Sequence, residues 1–113
     1  METPAESSSR LLVAGDAGTT VELQPGDQLG IVLDGNPTTG YGWELAAVDE
    51  RVLLPLAGPV YQAHSDAAGS GGVFAFRFSA VKPGQTALRL VYRRRWEKRK
   101  RPVASYEVVV VVR

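Results

Sequence analysis

The chain has no cysteine, a single histidine and a single methionine among its 113 residues. Without thiols, disulfides, thiolate metal sites and cysteine nucleophiles are all excluded. One histidine, His64, with scattered carboxylates gives neither a nucleophile–base spacing nor a convincing ligand set. No catalytic residue, metal or cofactor is therefore expected, and His64 reads as an ordinary strand-end residue. Nothing approaches the roughly 20 apolar residues of a membrane-spanning helix, so no membrane partner is expected. Charge of one sign is also missing: 13 basic against 12 acidic residues leave a net +1, with no overall pull toward nucleic acid or acidic lipid. The opening METPAESSSR lacks the basic and apolar regions of a signal peptide, so no export signal is expected in the chain as written. A leader already removed would imply periplasm or secretion; otherwise the cytoplasm is expected. Residues 1–10 read as a flexible tail ahead of one domain, 11–113, large enough to bury roughly 60–70% of its unfolded surface.

Amphipathic helices are lacking too. The hydrophobic period is two throughout: Val21 and Leu23 flank Glu22, then Leu29, Ile31 and Leu33 alternate, then Trp43 and Leu45. Phe74, Phe76, Phe78 and Ala80 give the clearest case, followed by Leu88, Leu90 and Tyr92. Tyr106 to Val112 is almost all valine after Glu107, which predicts a strand in mid-sheet or covered on both faces. Strands are expected at 18–23, 27–34, 41–47, 59–64, 72–80, 85–93 and 104–112, with a short extra one at 11–14. Turn dipeptides Pro25-Gly26 and Pro83-Gly84 separate them. The fold class is all-β: an immunoglobulin-like antiparallel β-sandwich of about seven to eight strands, without a disulfide. Trp43 is expected in its core.

Parity then sorts the connections. Successive strands of such a sandwich run in opposite directions, so alternate connections fall at the same end, and the two Pro-Gly turns share one end with 48–58. The other end receives Asp34 to Gly40, Ser65 to Gly71, and Arg94 to Val103, which hold nearly all the unusual residues.

In the first of these, Asn36-Pro37-Thr38-Thr39-Gly40-Tyr41, Pro37 fixes its own φ and biases Asn36 toward extended backbone. Gly40 can take the positive φ that returns the chain to the next strand. The result is a stiff, uncharged, protruding loop, though taken alone it reads as a well-made turn. In the second, Gly69-Ser70-Gly71-Gly72, a phosphate cradle or a nucleophile elbow would need a following helix, and a strand follows instead. Its backbone could approach a partner closely, or it could be a flexible hairpin. The third runs from Arg93 to Arg101 with seven basic residues and one acidic, a local +6, so the remainder carries +1 − 6 = −5. Trp96 sits inside this run, and exposed tryptophan and arginine dominate binding hot spots.

Taken together and in this order, Asn36-Pro37-Thr38-Thr39-Gly40-Tyr41, Gly69-Ser70-Gly71-Gly72 and Arg94-Arg95-Trp96 resemble the three motifs of the chagasin family of cysteine-protease inhibitors. The third departs from the family's Arg-Pro-Trp by placing Arg95 at the proline position. The resemblance spans roughly 18–112 and implies a reversible, tight-binding inhibitor of papain-like cysteine proteases, a monomer and not an enzyme. It further implies that the first loop enters the active-site cleft while the other two brace it, with Trp96 packing on aromatic surface of the enzyme. Arginine at the proline position removes a restraint and adds charge, which is expected to favour proteases with acidic cleft rims. Two rival readings remain. Residues 93–101 could bind nucleic acid or another anionic surface, a partner not expected here because it leaves the other two loops unexplained. Alternatively the sandwich could be a structural or adhesion module.

Overall fold

The computed structural model describes residues 8–65, 71–97 and 99–113. Eight strands form two four-stranded sheets. The first sheet is ordered β1 (Ser9–Leu12), β3 (Gln28–Gly35), β6 (Gly72–Ala80), β5 (Leu53–Ala63). The second is ordered β2 (Thr20–Leu23), β8 (Ala104–Val112), β7 (Gly84–Arg94), β4 (Tyr41–Ala47). This is the expected immunoglobulin-like sandwich, with one difference in detail. Two pairings, β1 with β3 and β2 with β8, are parallel, whereas all the others are antiparallel.

Alternation builds the core. Leu29, Ile31 and Leu33 of β3 meet Phe74, Phe76 and Phe78 of β6 in one sheet, and Leu88, Leu90, Tyr106, Val108 and Val110 face them from the other. The largest fully buried side chains are Phe78, Leu29, Ile31, Leu53, Leu88 and Leu90, each worth about 1.5–3 kcal/mol in apolar surface removed from water. The valine-rich β8 lies between β2 and β7, as its composition predicts.

Two strand boundaries and the burial of one tryptophan differ notably from the sequence reading. β1 lies at Ser9–Leu12 rather than 11–14, so Ser9 and Arg10, expected in the tail, sit on the sheet. β5 begins at Leu53 rather than 59. Residues 55–58 fall in the expected 48–58 connection and Pro59 opens the expected strand; here all of 55–59 belongs to an edge strand, where a missing proline donor is tolerated, and register shifts absorb the irregularity. Trp43, expected in the core, is only half-buried and packs against the core from its rim. β4 is an edge strand, none of whose residues is fully buried.

The end carrying the tight turns is tied by Asp27. Its carboxylate accepts the backbone N–H of Ser8 at 2.9 Å and of Gln24 at 2.8 Å, while its main chain pairs with Ala80. These two N–H donors hold the Asp27 carboxyl below the ordinary carboxylate value, against the opposing effect of burial.

Candidate functional site

The opposite end carries the loops that parity assigned to it. Register places Gly35 beside Gly72, Gly72 beside Ala63, and Tyr41 beside Arg94, so loop 1 (residues 36–40), loop 2 (64–71) and loop 3 (95–103) leave the sandwich together.

Loop 1 is a single 3-10 turn, Pro37–Thr39, closed at each end as its residues dictate. Asn36 is extended (φ −143°, ψ 98°), as the residue before proline prefers. Its Oδ1 accepts from Thr38 N at 3.1 Å and from the Thr38 hydroxyl at 2.6 Å, an N-terminal cap on the turn. The Thr39 hydroxyl donates to the Asn36 carbonyl at 2.9 Å. Gly40 ends the turn in the left-handed region, φ 86°, and its N–H donates to the Pro37 carbonyl at 2.9 Å. Pro37, Thr38 and Thr39 are exposed and uncharged.

What the sequence did not reveal is how loop 1 is held from below. On β7 the inward-facing residues continue past the core as Tyr92 and Arg94, and the chain then turns at Trp96. Each engages a different part of loop 1. The Tyr92 hydroxyl accepts the Asn36 N–H at 3.1 Å. Arg94 Nε donates to the Thr39 carbonyl at 3.2 Å, and its guanidinium lies 4.7 Å from the centre of the Tyr41 ring. The Trp96 indole covers Gly40 so closely that a Cβ there would come within 2.6 Å of Trp96 Cη2. Trp96 is nevertheless 70% exposed, as its place within a run of charged residues predicts. Loop 1, the end of β7 and Trp96 thus form one body. Their contacts link residues more than fifty positions apart, so no local pattern could have disclosed them.

Aromatic rings underlie this body. Tyr41 stacks on Tyr92 at 5.5 Å, Trp43 lies 5.1 Å from Tyr92, and Tyr61 lies 5.0 Å from Phe74. Trp43 Nε1 donates to the Asp34 carbonyl at 2.9 Å, joining the two sheets just under loop 1. A groove of about 790 Å³ opens there, walled by Pro37 and Trp96 and floored by Tyr41, Trp43 and Phe74. On its lining, Arg93 and Glu44 form an ion pair at 2.7 Å, and the Glu44 hydrogen bond keeps the guanidinium protonated above its ordinary range.

Of the loop 2 motif, Gly69 and Ser70 lie outside the described residues. Gly71 is described, with φ 78°, and accepts at its carbonyl from His64 N at 2.9 Å, which closes the hairpin. Gly72 is buried against β5, where a Cβ would meet the Gln62 carbonyl, Ala63 Cα at 2.7 Å and the Tyr61 hydroxyl at 2.8 Å. Gly72 therefore carries a packing requirement of its own. At the third motif, Arg94 ends β7 and is half-buried beneath loop 1, whereas Arg95 and Trp96, which open loop 3, are exposed.

Comparison with known proteins places the chain in a family. The model of the family described as chagasin family peptidase inhibitor I42 matches residues 22–110. Amoebiasin-1 of Entamoeba histolytica is 31% identical over 86 residues, covering 75% of this chain and 82% of that one. Amoebiasin-2 of the same organism is 29% identical over 114 residues, covering 98% of this chain and 91% of its own length. Among solved structures, the cysteine protease inhibitor EhICP2 from Entamoeba histolytica superposes with a TM-score of 0.81 at 26% identity, covering 98% of this chain and all of that one.

Proposed function

The chain belongs to the chagasin family of peptidase inhibitors, and on that premise we propose that it blocks papain-like cysteine proteases by filling the active-site cleft with loop 1. Asn36 to Tyr41 form the inserted wedge. Gly69 to Gly72 flank it on one side, and Arg94, Arg95 and Trp96 on the other. The family is one of inhibitors rather than enzymes.

The observation that carries this reading is the way loop 1 is secured. Its turn is capped by its own Asn36, and its two ends are held by Tyr92 and Arg94. A loop ordered before binding loses little entropy on entering a cleft. The tip is uncharged and presents backbone and hydroxyl groups, which suits a narrow cleft containing a catalytic thiolate. The same rigidity makes the wedge a poor substrate, because cleavage requires the scissile peptide to reach a near-attack geometry. With the flanking loops, contact could reach the ordinary size of a stable interface, about 1,200–2,000 Å².

Titration of a purified papain-like protease with the protein is the test. Stoichiometric, reversible inhibition is expected. Thr39→Asp is expected to weaken it sharply while leaving the domain folded, since a desolvated carboxylate would face the thiolate. Trp96→Ala is expected to cost about 2 kcal/mol or more of affinity as an anchor residue. Both variants inhibiting like wild type would overturn the three-loop reading.

A further inference from the structure

We propose that the basic residues beyond Trp96 form a second, electrostatic zone of the inhibitory face, which selects proteases whose cleft rim is acidic. This proposal rests on the inhibitor reading and adds to it the kind of enzyme preferred. The observation behind it is an imbalance of ion pairs. In loop 3 one carboxylate, Glu97, serves two cations, lying 3.6 Å from Nη1 of Arg94 at the end of β7 and 3.3 Å from Lys100 Nζ. Arg95, Arg99 and Arg101 are exposed and form no ion pair with any described residue. Loop 1 beside them carries no charge of either sign. The positive potential of this end therefore comes from loop 3.

Position makes the imbalance functional. Arg95 and Trp96 border the groove under loop 1, and on their other side they line a second depression with Glu97, Arg99 and Lys100. A protein that takes loop 1 into its cleft must bring the adjoining rim of that cleft against these cations. Guanidinium groups held on a loop suit carboxylates on such a rim. Exposed charges at the edge of an interface act mainly on the rate of encounter, and salt screens them over about 10 Å at 0.1 M. The chain outside residues 93–101 carries −5, so the attraction is confined to this end and also orients the approach.

The experiment measures association and dissociation rates of the full chain with two papain-like proteases, one with an acidic cleft rim and one with a basic rim. The comparison variant is Arg99→Glu/Arg101→Glu, which touches neither loop 1 nor the Arg94–Trp96 segment, and its fold is checked by thermal melting. For wild type and the acidic-rim enzyme, the association rate is expected to fall about tenfold between 20 mM and 300 mM salt. The double variant is expected to lose about as much at 20 mM while dissociation changes less than twofold, and the basic-rim enzyme is expected to show the opposite preference. Inhibition of both enzymes with flat salt dependence and an unchanged variant overturns this proposal and leaves the inhibitor reading standing. Inhibition of neither enzyme at any salt overturns both. Tight binding of a short RNA at physiological salt, lost in the double variant while protease association is unaffected, also overturns it.

Discussion

At Arg94 one side chain performs two tasks that lie close together in space and far apart in sequence. Its Nε takes the Thr39 carbonyl, the group at the tip of loop 1, and its planar face covers Tyr41, where loop 1 rejoins the sheet. Lysine would keep the charge but lose the fixed Nε donor and most of the stacking. Arg94→Lys is therefore expected to weaken inhibition by about 1 kcal/mol, roughly fivefold, with an unchanged melting temperature, because one exposed hydrogen bond and one exposed cation–π contact are of that size. The expected signature is faster backbone motion at residues 37–40, measured by NMR relaxation, together with the lower affinity. Much of loop 1 was legible beforehand because its determinants are local. Asn before Pro is extended, and Gly40 is the residue able to end the turn at positive φ. Arg94 was legible only as part of a motif. Nothing in its neighbours says that it reaches back fifty-five residues.

At the scale of elements, β5 and β6 show where reading by pattern succeeds and fails. Phe74, Phe76 and Phe78 alternate without interruption, and β6 falls where that alternation puts it. β5 contains Pro55 and Pro59, which interrupt both its alternation and its donors, so its first half is invisible to periodicity although it pairs with β6. The pair closes at Gly72 against Ala63, too tightly for any side chain. Gly72→Ala is expected to destabilise the fold by about 1–3 kcal/mol through overpacking against backbone. Chemical denaturation would measure this loss. A variant with wild-type stability and weakened inhibition would instead assign Gly72 to contact with the protease alone. Trp43 illustrates a further kind of miss. Its alternation with Leu45 is correct, but strand order decides whether an inward residue is covered, and β4 lies at an edge.

Taken whole, the molecule divides its two ends between holding and binding. At the holding end, Asp27 joins the residue before β1, the residue after β2 and the start of β3 through one carboxylate. Its folded pKa lies below the unfolded value, which is about 4. The folded state thus favours the ionised form, and the contribution is fully present above pH 4 and lost as pH falls through the lower folded value. Denaturation midpoints are expected to be level from pH 7 to 5 and to decline below about pH 4. Asp27→Asn should be less stable at pH 7 by about 1–2 kcal/mol, having one acceptor oxygen where two are used, and should show less of the acid decline. At the binding end a different division holds. Tyr92, Arg94 and Trp96 each support loop 1, whereas Arg99 and Arg101 support nothing among the described residues. A change at the first three disturbs the wedge itself, but a change at the last two alters only what the wedge is drawn toward. Such a chain can drift from one target enzyme to another by exchanging a few unburdened side chains, and the blocking geometry is inherited intact.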